Sequence, residues 1–333
     1  MNRQVIIFGI LALLASACRN GPCPDRSDYL GAKPPAGTKQ WCEKKSKTGA
    51  IVKDGPYFEW HTEKQKKAEG SYTDNLKTGK WTWWYSNGKK AKEGQYKKNK
   101  KQGAWTFWNQ QGHKTREENY KNGKLHGLQT VWYANGKLKT RGELEHGKAV
   151  GEWNFWRKSG SKKSAGTYKN GKEDGIWRFF NKEGKIKSEG AFKDGKKAGK
   201  WVFMNGAGQK IREGSFEKGE KNGQWSSWYD DGKNKAAGSH LRGKRHGEFT
   251  HWYPSGKIKA KGAFDMGQRT GEWAYWSETG VLQKQGQYAE GKKVGTWLSL
   301  DETGKEVIET FGADAQADKK KGKVARKKKK KQH

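Results

Sequence analysis

Any chemistry in this chain has to come from three cysteines, eight histidines, and a large excess of lysine and tryptophan. The histidines (His61, His113, His126, His146, His240, His246, His251 and His333) show no paired spacing of the kind that holds a metal. Two carboxylate pairs, Glu117-Glu118 and Asp230-Asp231, lie beside glycine-rich turns, where nothing excludes water or tunes a proton affinity. No glycine motif that cradles a phosphate stands apart from the general glycine spacing. These patterns argue against an enzyme, and no cofactor or metal is expected. What remains is contact chemistry, because tryptophan faces and lysine ammonium groups recur at fixed intervals. That combination suits anionic polymers, sugars or a protein surface.

The interval is 24 residues. Glycine stands at 55, 79, 103, 127, 151, 175, 199, 223, 247, 271 and 295. A fixed period in this range dictates a repeat architecture. Counting from each glycine, position 2 holds Tyr57, Trp81, Trp105, Gln129, Trp153, Trp177, Trp201, Trp225, Phe249, Trp273 and Trp297. Position 5 holds Trp60, Trp84, Trp108, Trp132, Trp156, Phe180, Met204, Trp228, Trp252, Trp276 and Leu300. A second glycine column falls at position 9, from Gly88 to Gly304, and a third apolar column at position 17. Position 20 is Asn75, Asn99 and then glycine from Gly123 to Gly291, a substitution that marks a left-handed backbone.

Each repeat therefore reads as a β-hairpin. A short aromatic strand ends at a two-residue turn, written Asn87-Gly88 and Asn135-Gly136, and a lysine-rich strand returns. Helix is disfavoured, since each glycine in a helix interior costs about 1 kcal/mol. Positions 2 and 4 share a face, and position 5 points to the other unless a bulge intervenes, which the sequence leaves open. The composition, 31% hydrophobic with a formal net charge of +35, would by itself suggest disorder. Tryptophan overturns that, because 17 of the 18 lie in the repeats and each buried ring removes about 150–250 Å² from water.

The pattern Gly-x-Trp-x-x-Trp-Tyr-x-x-Gly-Lys, followed by Glu-Gly-x-Tyr-x-x-Gly-Lys, resembles the variant MORN repeat of bacterial proteins over residues 55–312. The resemblance implies an all-β fold: an elongated, single-layered array of stacked antiparallel β-hairpins, here ten repeats and a terminal half repeat. Some relatives carry an antitoxin label, which implies an alternative role in neutralising a partner toxin. Gln129, Met204, Gly206 and His240 depart from the pattern, so repeats four, seven and eight are expected to be locally softer.

Residues 1–17 read as a lipoprotein signal peptide: Arg3 without an acid, an apolar run from Val5 to Leu14, then Ala15-Ser16-Ala17-Cys18. The run is too short to span a bilayer. Cys18 resembles a lipobox cysteine carrying diacylglycerol and palmitate, although an ordinary signal cleaved after Ala17 would leave it a thiol. With Cys18 acylated, Cys23 and Cys42 remain to form a disulfide in an oxidising compartment. Closing that loop would contribute about 3 kcal/mol, stapling a tether and N-terminal cap over residues 18–54. Residues 313–333 read as a disordered lysine-rich tail, with ten basic residues, Lys327, Lys328 and Lys329 among them, against two acids.

The candidate binding residues are the rings Trp81, Trp84, Trp105, Trp108, Trp153, Trp156, Trp225 and Trp228. With them stand the turn lysines Lys89, Lys137, Lys185 and Lys257 and the tail lysines Lys327, Lys328 and Lys329. Two accounts of each set stand side by side: rings that stack on sugars or pack on one another, lysines that bind a polyanion or protect sheet edges from aggregation. The expected function is a non-enzymatic, envelope-anchored repeat scaffold or binding module. Its partners would be the membrane, through the lipid, and an anionic wall or lipopolysaccharide polymer or a protein. Nucleic acid would bind only non-specifically. A monomer is expected. Arg19 after the lipidated cysteine favours the outer membrane over inner-membrane retention.

Overall fold

Large rings alternating with small and polar residues, bounded by glycine, leave the backbone little choice but extended structure. In the computed structural model, which describes residues 39–312, there are 25 β-strands and no helix among the described residues. The signal-like segment, Cys18, Cys23 and the tail lysines lie outside the described residues. The chain divides into two bodies. The first takes in the described residues to Val150 together with Phe155–Gly160, and the second Gly151–Asn154 together with the described residues from Ser161 on.

The first body runs through Lys39–Lys45, Ile51–Thr62, Gln65–Thr73, Leu76–Trp84, Lys90–Lys97, Lys100–Trp108 and Lys114–Lys121. A broken strand, Lys124–Leu125 and Gly127–Trp132, and then Leu138–Glu145 follow. Each pairs antiparallel with its neighbour in sequence. The strand Lys39–Lys45 covers the start of the array, with Trp41 opposite Tyr57 and packed on a cluster of Tyr57, Ala68 and Trp81. Cys42 on this strand is buried. The second body repeats the scheme from Lys162–Lys169 to Lys292–Leu300, closed by Glu306–Phe311. The all-β hairpin array with a 24-residue period is thus the architecture within each body.

The left-handed turn at position 20 is as the sequence suggested, whereas the turn at position 9 is not. At Asn87-Gly88 the loop has three residues: Tyr85 N donates to Lys89 O at 2.9 Å, and Gly88 N to Tyr85 O at 3.0 Å. Only Gly88 has positive φ, +81°. This is a type I turn followed by a left-handed glycine, rather than a two-residue turn with both residues left-handed. The two-residue turn sits instead at positions 19 and 20, where Asp74 and Asn75 have φ of +49° and +64°. Position 19 holds Lys98, Lys218, Arg242 and Met266 at φ of +43° to +52°, a conformation that costs L residues about 1 kcal/mol each.

Two glycine columns arise from different causes. The opening glycine, such as Gly103 at φ +65°, lies in a bulge opposite the step from Gly94 to Gln95, and a side chain there would meet open space. Its backbone angle requires glycine. At position 15 the reason is space. A Cβ on Gly94 would stand 2.2 Å from the indole of Trp105, and the same clash recurs at Gly70, Gly166, Gly190, Gly214, Gly262 and Gly286. Each position-2 indole lies flat over the preceding hairpin, and its Nε1 donates to the carbonyl at position 16. Examples are Trp105 to Gln95 O at 3.1 Å and Trp201 to Ala191 O at 2.9 Å.

One repeat breaks this rule and compensates. Position 15 of repeat three is Glu118, and the next position 2 is Gln129. Gln129 Nε2 donates to Glu118 Oε1 at 3.1 Å, Arg116 Nε lies 2.8 Å from the same oxygen, and Tyr120 Oη donates to Oε2 at 2.7 Å. Glu118 is 4% exposed. Where the indole is missing, a carboxylate occupies its volume and is paired on both oxygens, as a buried charge must be. Gln129 is therefore a substitution with a partner and not the plain defect that the repeat pattern suggested.

Candidate anion-binding face

Registers and contacts separate two faces. Positions 2, 4 and 17 share the aromatic face. Trp81 and Trp83 stack at 5.5 Å between centroids, Trp83 meets Trp105 at 5.8 Å, and Tyr96 stands edge-on to Trp105 at 5.1 Å. Positions 1, 11 and 14 form the opposite face, which is laced by exposed ion pairs. Among these are Lys80–Glu93 at 3.2 Å, Lys114–Glu117 at 2.6 Å and Lys200–Glu213 at 3.3 Å, each contributing about 0–1 kcal/mol.

Lysine and arginine on the aromatic face are arranged differently. The residue two places before each opening glycine pairs across strands with the ring at position 17: Lys77 with Tyr72, Lys101 with Tyr96, Lys197 with Phe192, Arg245 with His240. Its cationic end lies over the next position-2 ring. In the first body Lys77 stands 4.3 Å from the Trp81 centroid and Lys101 4.5 Å from that of Trp105. In the second body Lys197 is 4.1 Å from Trp201, Lys221 4.4 Å from Trp225, Arg245 5.4 Å from Phe249, Arg269 5.0 Å from Trp273 and Lys293 4.7 Å from Trp297. A further row at position 13 places Lys92 4.4 Å from Trp83, Arg116 4.2 Å from Phe107 and Arg212 4.5 Å from Phe203. Such contacts stabilise by about 0.5–2 kcal/mol each.

Each repeat advances two strands, roughly 10 Å, so the cations form a regular track. The second body carries five in succession, whereas Leu125 and Glu173 occupy the same position nearer the chain centre. Partial burial pushes the ammonium groups of Lys77, Lys101, Lys197 and Lys221 below their ordinary range, and neighbouring cations add to it: Lys92 beside Lys77, Arg212 beside Lys197 and Lys221. Crowded, partly dehydrated positive charges favour an anion that relieves the repulsion. In the second body a groove of about 1150 Å³ runs over repeats nine and ten, where Arg245, Arg269, Lys259 and Lys284 face one carboxylate, Glu278.

The residues expected from sequence fall in three places. Trp81, Trp105, Trp153 and Trp225 are buried and offer no face to a ligand, and Trp81, Trp105 and Trp225 each lie on the preceding hairpin's glycine. Trp84, Trp108, Trp156 and Trp228 are half-buried. Position 5 lies at the rim: Lys210 sits 4.4 Å over Trp228, and Trp276 borders both the basic groove and a shallow one with Glu248, Lys261 and Glu272. The turn lysines are tied to the next turn. Lys89 donates to Gln111 O at 2.7 Å, Lys137 to Ser159 O at 2.5 Å and Lys257 to Thr279 O at 2.6 Å. Lys185 is exposed. Beside them Tyr85, Tyr133, Tyr229 and Tyr253 donate to Trp108 O, Trp156 O, Trp252 O and Trp276 O at 2.7–2.9 Å. These ladders join one repeat to the next, and most turn lysines belong to them. The track itself was missed, although the basic column two residues before each glycine was there to read.

Comparison with known proteins gives one family. The MORN repeat variant matches at residues 77–98, 125–146, 173–194, 245–265 and 269–290. No curated protein matches the chain. Among solved structures, a crystal structure of TcdB2-TccC3 without its hypervariable C-terminal region aligns over 82% of this chain and 18% of that one, at 11% identity and a TM-score of 0.14. This chain thus spans under a fifth of that protein's length, and so low a score carries no argument about fold or function. The five matches fall on the period set by the opening glycines, on hairpins that share the turns of the array: these hairpins are MORN repeats of the variant type, which suggest a repeat scaffold or binding module.

Proposed function

We propose that this protein is a non-enzymatic, lipid-anchored module of the bacterial envelope that binds an anionic wall or lipopolysaccharide polymer along the cation track of its aromatic face. The observation that carries the reading is the row Lys197, Lys221, Arg245, Arg269 and Lys293, one cation per repeat on an aromatic bed. A single exposed charge contact contributes little in water. A polymer that engages several at once gains by effective concentration, and salt weakens the whole. Half-buried rings at the rim, Trp252 and Trp276, add apolar surface for the faces of sugar rings. The charge-paired opposite face lacks this surplus. Nothing among the described residues favours an antitoxin role over this one.

The anchoring part of the proposal rests on Arg3, the apolar run and Cys18 in the sequence. Cells expressing wild type or Cys18→Ala, fed labelled palmitate and fractionated, test it. Label and membrane retention should be present in the first and absent in the second. An unlabelled, soluble wild-type protein would overturn the anchoring and return attention to cytoplasmic partners.

A further inference from the structure

Departures from the repeat pattern gather around one small cavity in the second body. Position 4, aromatic at Phe179 and Phe203, is Ser227 in repeat eight and His251 in repeat nine. Position 13, basic at Arg212, is Ala236 in repeat eight, and position 17, elsewhere Tyr or Phe in most repeats, is His240. The register places Arg212, Ser227, Ala236 and His251 in one cross-strand row, so two small residues separate a guanidinium from an imidazole. The next row is His240 beside Arg245, and Lys221 stands on the Trp225 ring. Between the rows, Trp225 and Phe249 flank His240 at 6.0 and 5.5 Å. The missing bulk leaves a cavity of about 130 Å³.

Arg212, Lys221, Arg245, His240 and His251 line this cavity, and no acidic residue does. His240 Nδ1 is buried without a hydrogen-bond partner. Ser227 Oγ is already engaged with Ala236 O at 3.2 Å, so it does not satisfy the imidazole. A pocket lined by three cationic side chains and an orphaned imidazole nitrogen, with no acid beside them, has the charge and the room for one tetrahedral oxyanion. We propose that this cavity is a binding site for a phosphate group, either free inorganic phosphate or a phosphate carried by a polymer.

Burial, then Lys221 and Arg245, holds the His240 imidazole at about 4. His251 is pushed down by burial and by Arg245, Lys259 and Arg269. A bound phosphate anion faces the same groups and opposes the electrostatic part of both shifts, so phosphate and protons bind cooperatively here. The site does not depend on polymer binding by the wider track.

The test titrates inorganic phosphate into the full chain near pH 6 while following the imidazole resonances of His240 and His251. Saturable shifts are expected, with the His240 titration moving upward as phosphate binds. The double variant Ser227→Phe/His240→Tyr restores residues that other repeats carry and fills the cavity. It should keep the native far-UV spectrum and lose at least tenfold in phosphate affinity. Arg212→Met, which removes the charge and keeps the stem over Phe203, should lose a similar factor. Imidazole resonances unmoved by phosphate, or undiminished binding in both variants, would overturn the site. If poly(glycerol phosphate) moves the same resonances, the phosphate is polymer-borne, whereas a response to inorganic phosphate alone assigns the free ion. Saturable phosphate binding alongside absent polymer binding would overturn the function proposed above and leave this site standing.

Discussion

Replacing Gly94 by alanine should destabilise its hairpin far more than a methyl group ordinarily does. The added Cβ would lie 2.2–2.5 Å from three ring carbons of Trp105, where a comfortable carbon contact is about 3.5–4.0 Å. Trp105 is fully buried, hydrogen-bonded to Gln95 O at 3.1 Å and edge-on to Tyr96 at 5.1 Å, so the indole cannot retreat by an ångström without losing both. Overpacking of this kind costs about 1–3 kcal/mol, and the strained hydrogen bond adds about 1 kcal/mol. A local loss of about 3 kcal/mol is expected. Trp105→Ala alone should cost about 3–5 kcal/mol. In the double variant the methyl enters space the indole has left, so Gly94→Ala should then cost under about 0.5 kcal/mol, a coupling of about 2–3 kcal/mol. Repeat arrays need not unfold in one step, so the assay is native-state hydrogen exchange of amides in Lys90–Lys97 and Lys100–Trp108. Additive costs, or a neutral Gly94→Ala, would refute the claim that the ring dictates the glycine.

Three further outcomes follow from the same geometry. Glu118→Ala should destabilise its hairpin by about 1–3 kcal/mol, because it strands the half-buried polar ends of Gln129 and Tyr120; Glu118→Gly with Gln129→Trp should recover most of that by restoring the usual pair, as read by local hydrogen exchange. Met266→Asn should raise the thermal midpoint slightly, by relieving about 0.5–1 kcal/mol of left-handed strain at φ +43°. The unfolded His240 titrates near 6.5 and the folded one at about 4, so the unfolded chain binds the extra proton first; stability is full above about pH 6.5 and falls as the pH drops toward 4. Solvent screening of this half-buried ring limits the loss to about 1–2 kcal/mol, and His240→Phe should flatten that part of a denaturation profile measured against pH.

The period, the hairpins and the aromatic columns were legible because each is a local rule repeated many times: a left-handed backbone at position 20, alternation at positions 2 to 5, glycine on either side. The turn types were not. Asn87-Gly88 has the composition of a two-residue turn, yet its hairpin closes around three residues, and Lys98 and Met266 accept positive φ that their types disfavour because the flanking strands impose it. The site was legible only in part. Alternation separates Trp81 from Trp84, but that the first lies flat on the preceding hairpin's glycine and the second at the rim is set by stacking between repeats. Lys89 and Lys77 are both repeated lysines. One reaches a turn carbonyl and the other sits on a ring, because strand register and the position-15 gap decide where each side chain points. The pairing of Glu118 with Gln129 joins residues eleven apart in sequence across a strand pair, and no single column discloses it.

Binding of the full chain to poly(glycerol phosphate), measured from low to high salt, tests the central claim most directly. The comparison is among wild type, a five-site variant with Gln at Lys197, Lys221, Arg245, Arg269 and Lys293, and a control with Gln at the turn lysines Lys137, Lys185 and Lys257. The track account predicts steeply salt-dependent binding, a control close to wild type, and a five-site variant whose logarithmic salt slope is shallower by about 3–5. Binding that is insensitive to salt, or lost equally in the control and the five-site variant, would contradict it.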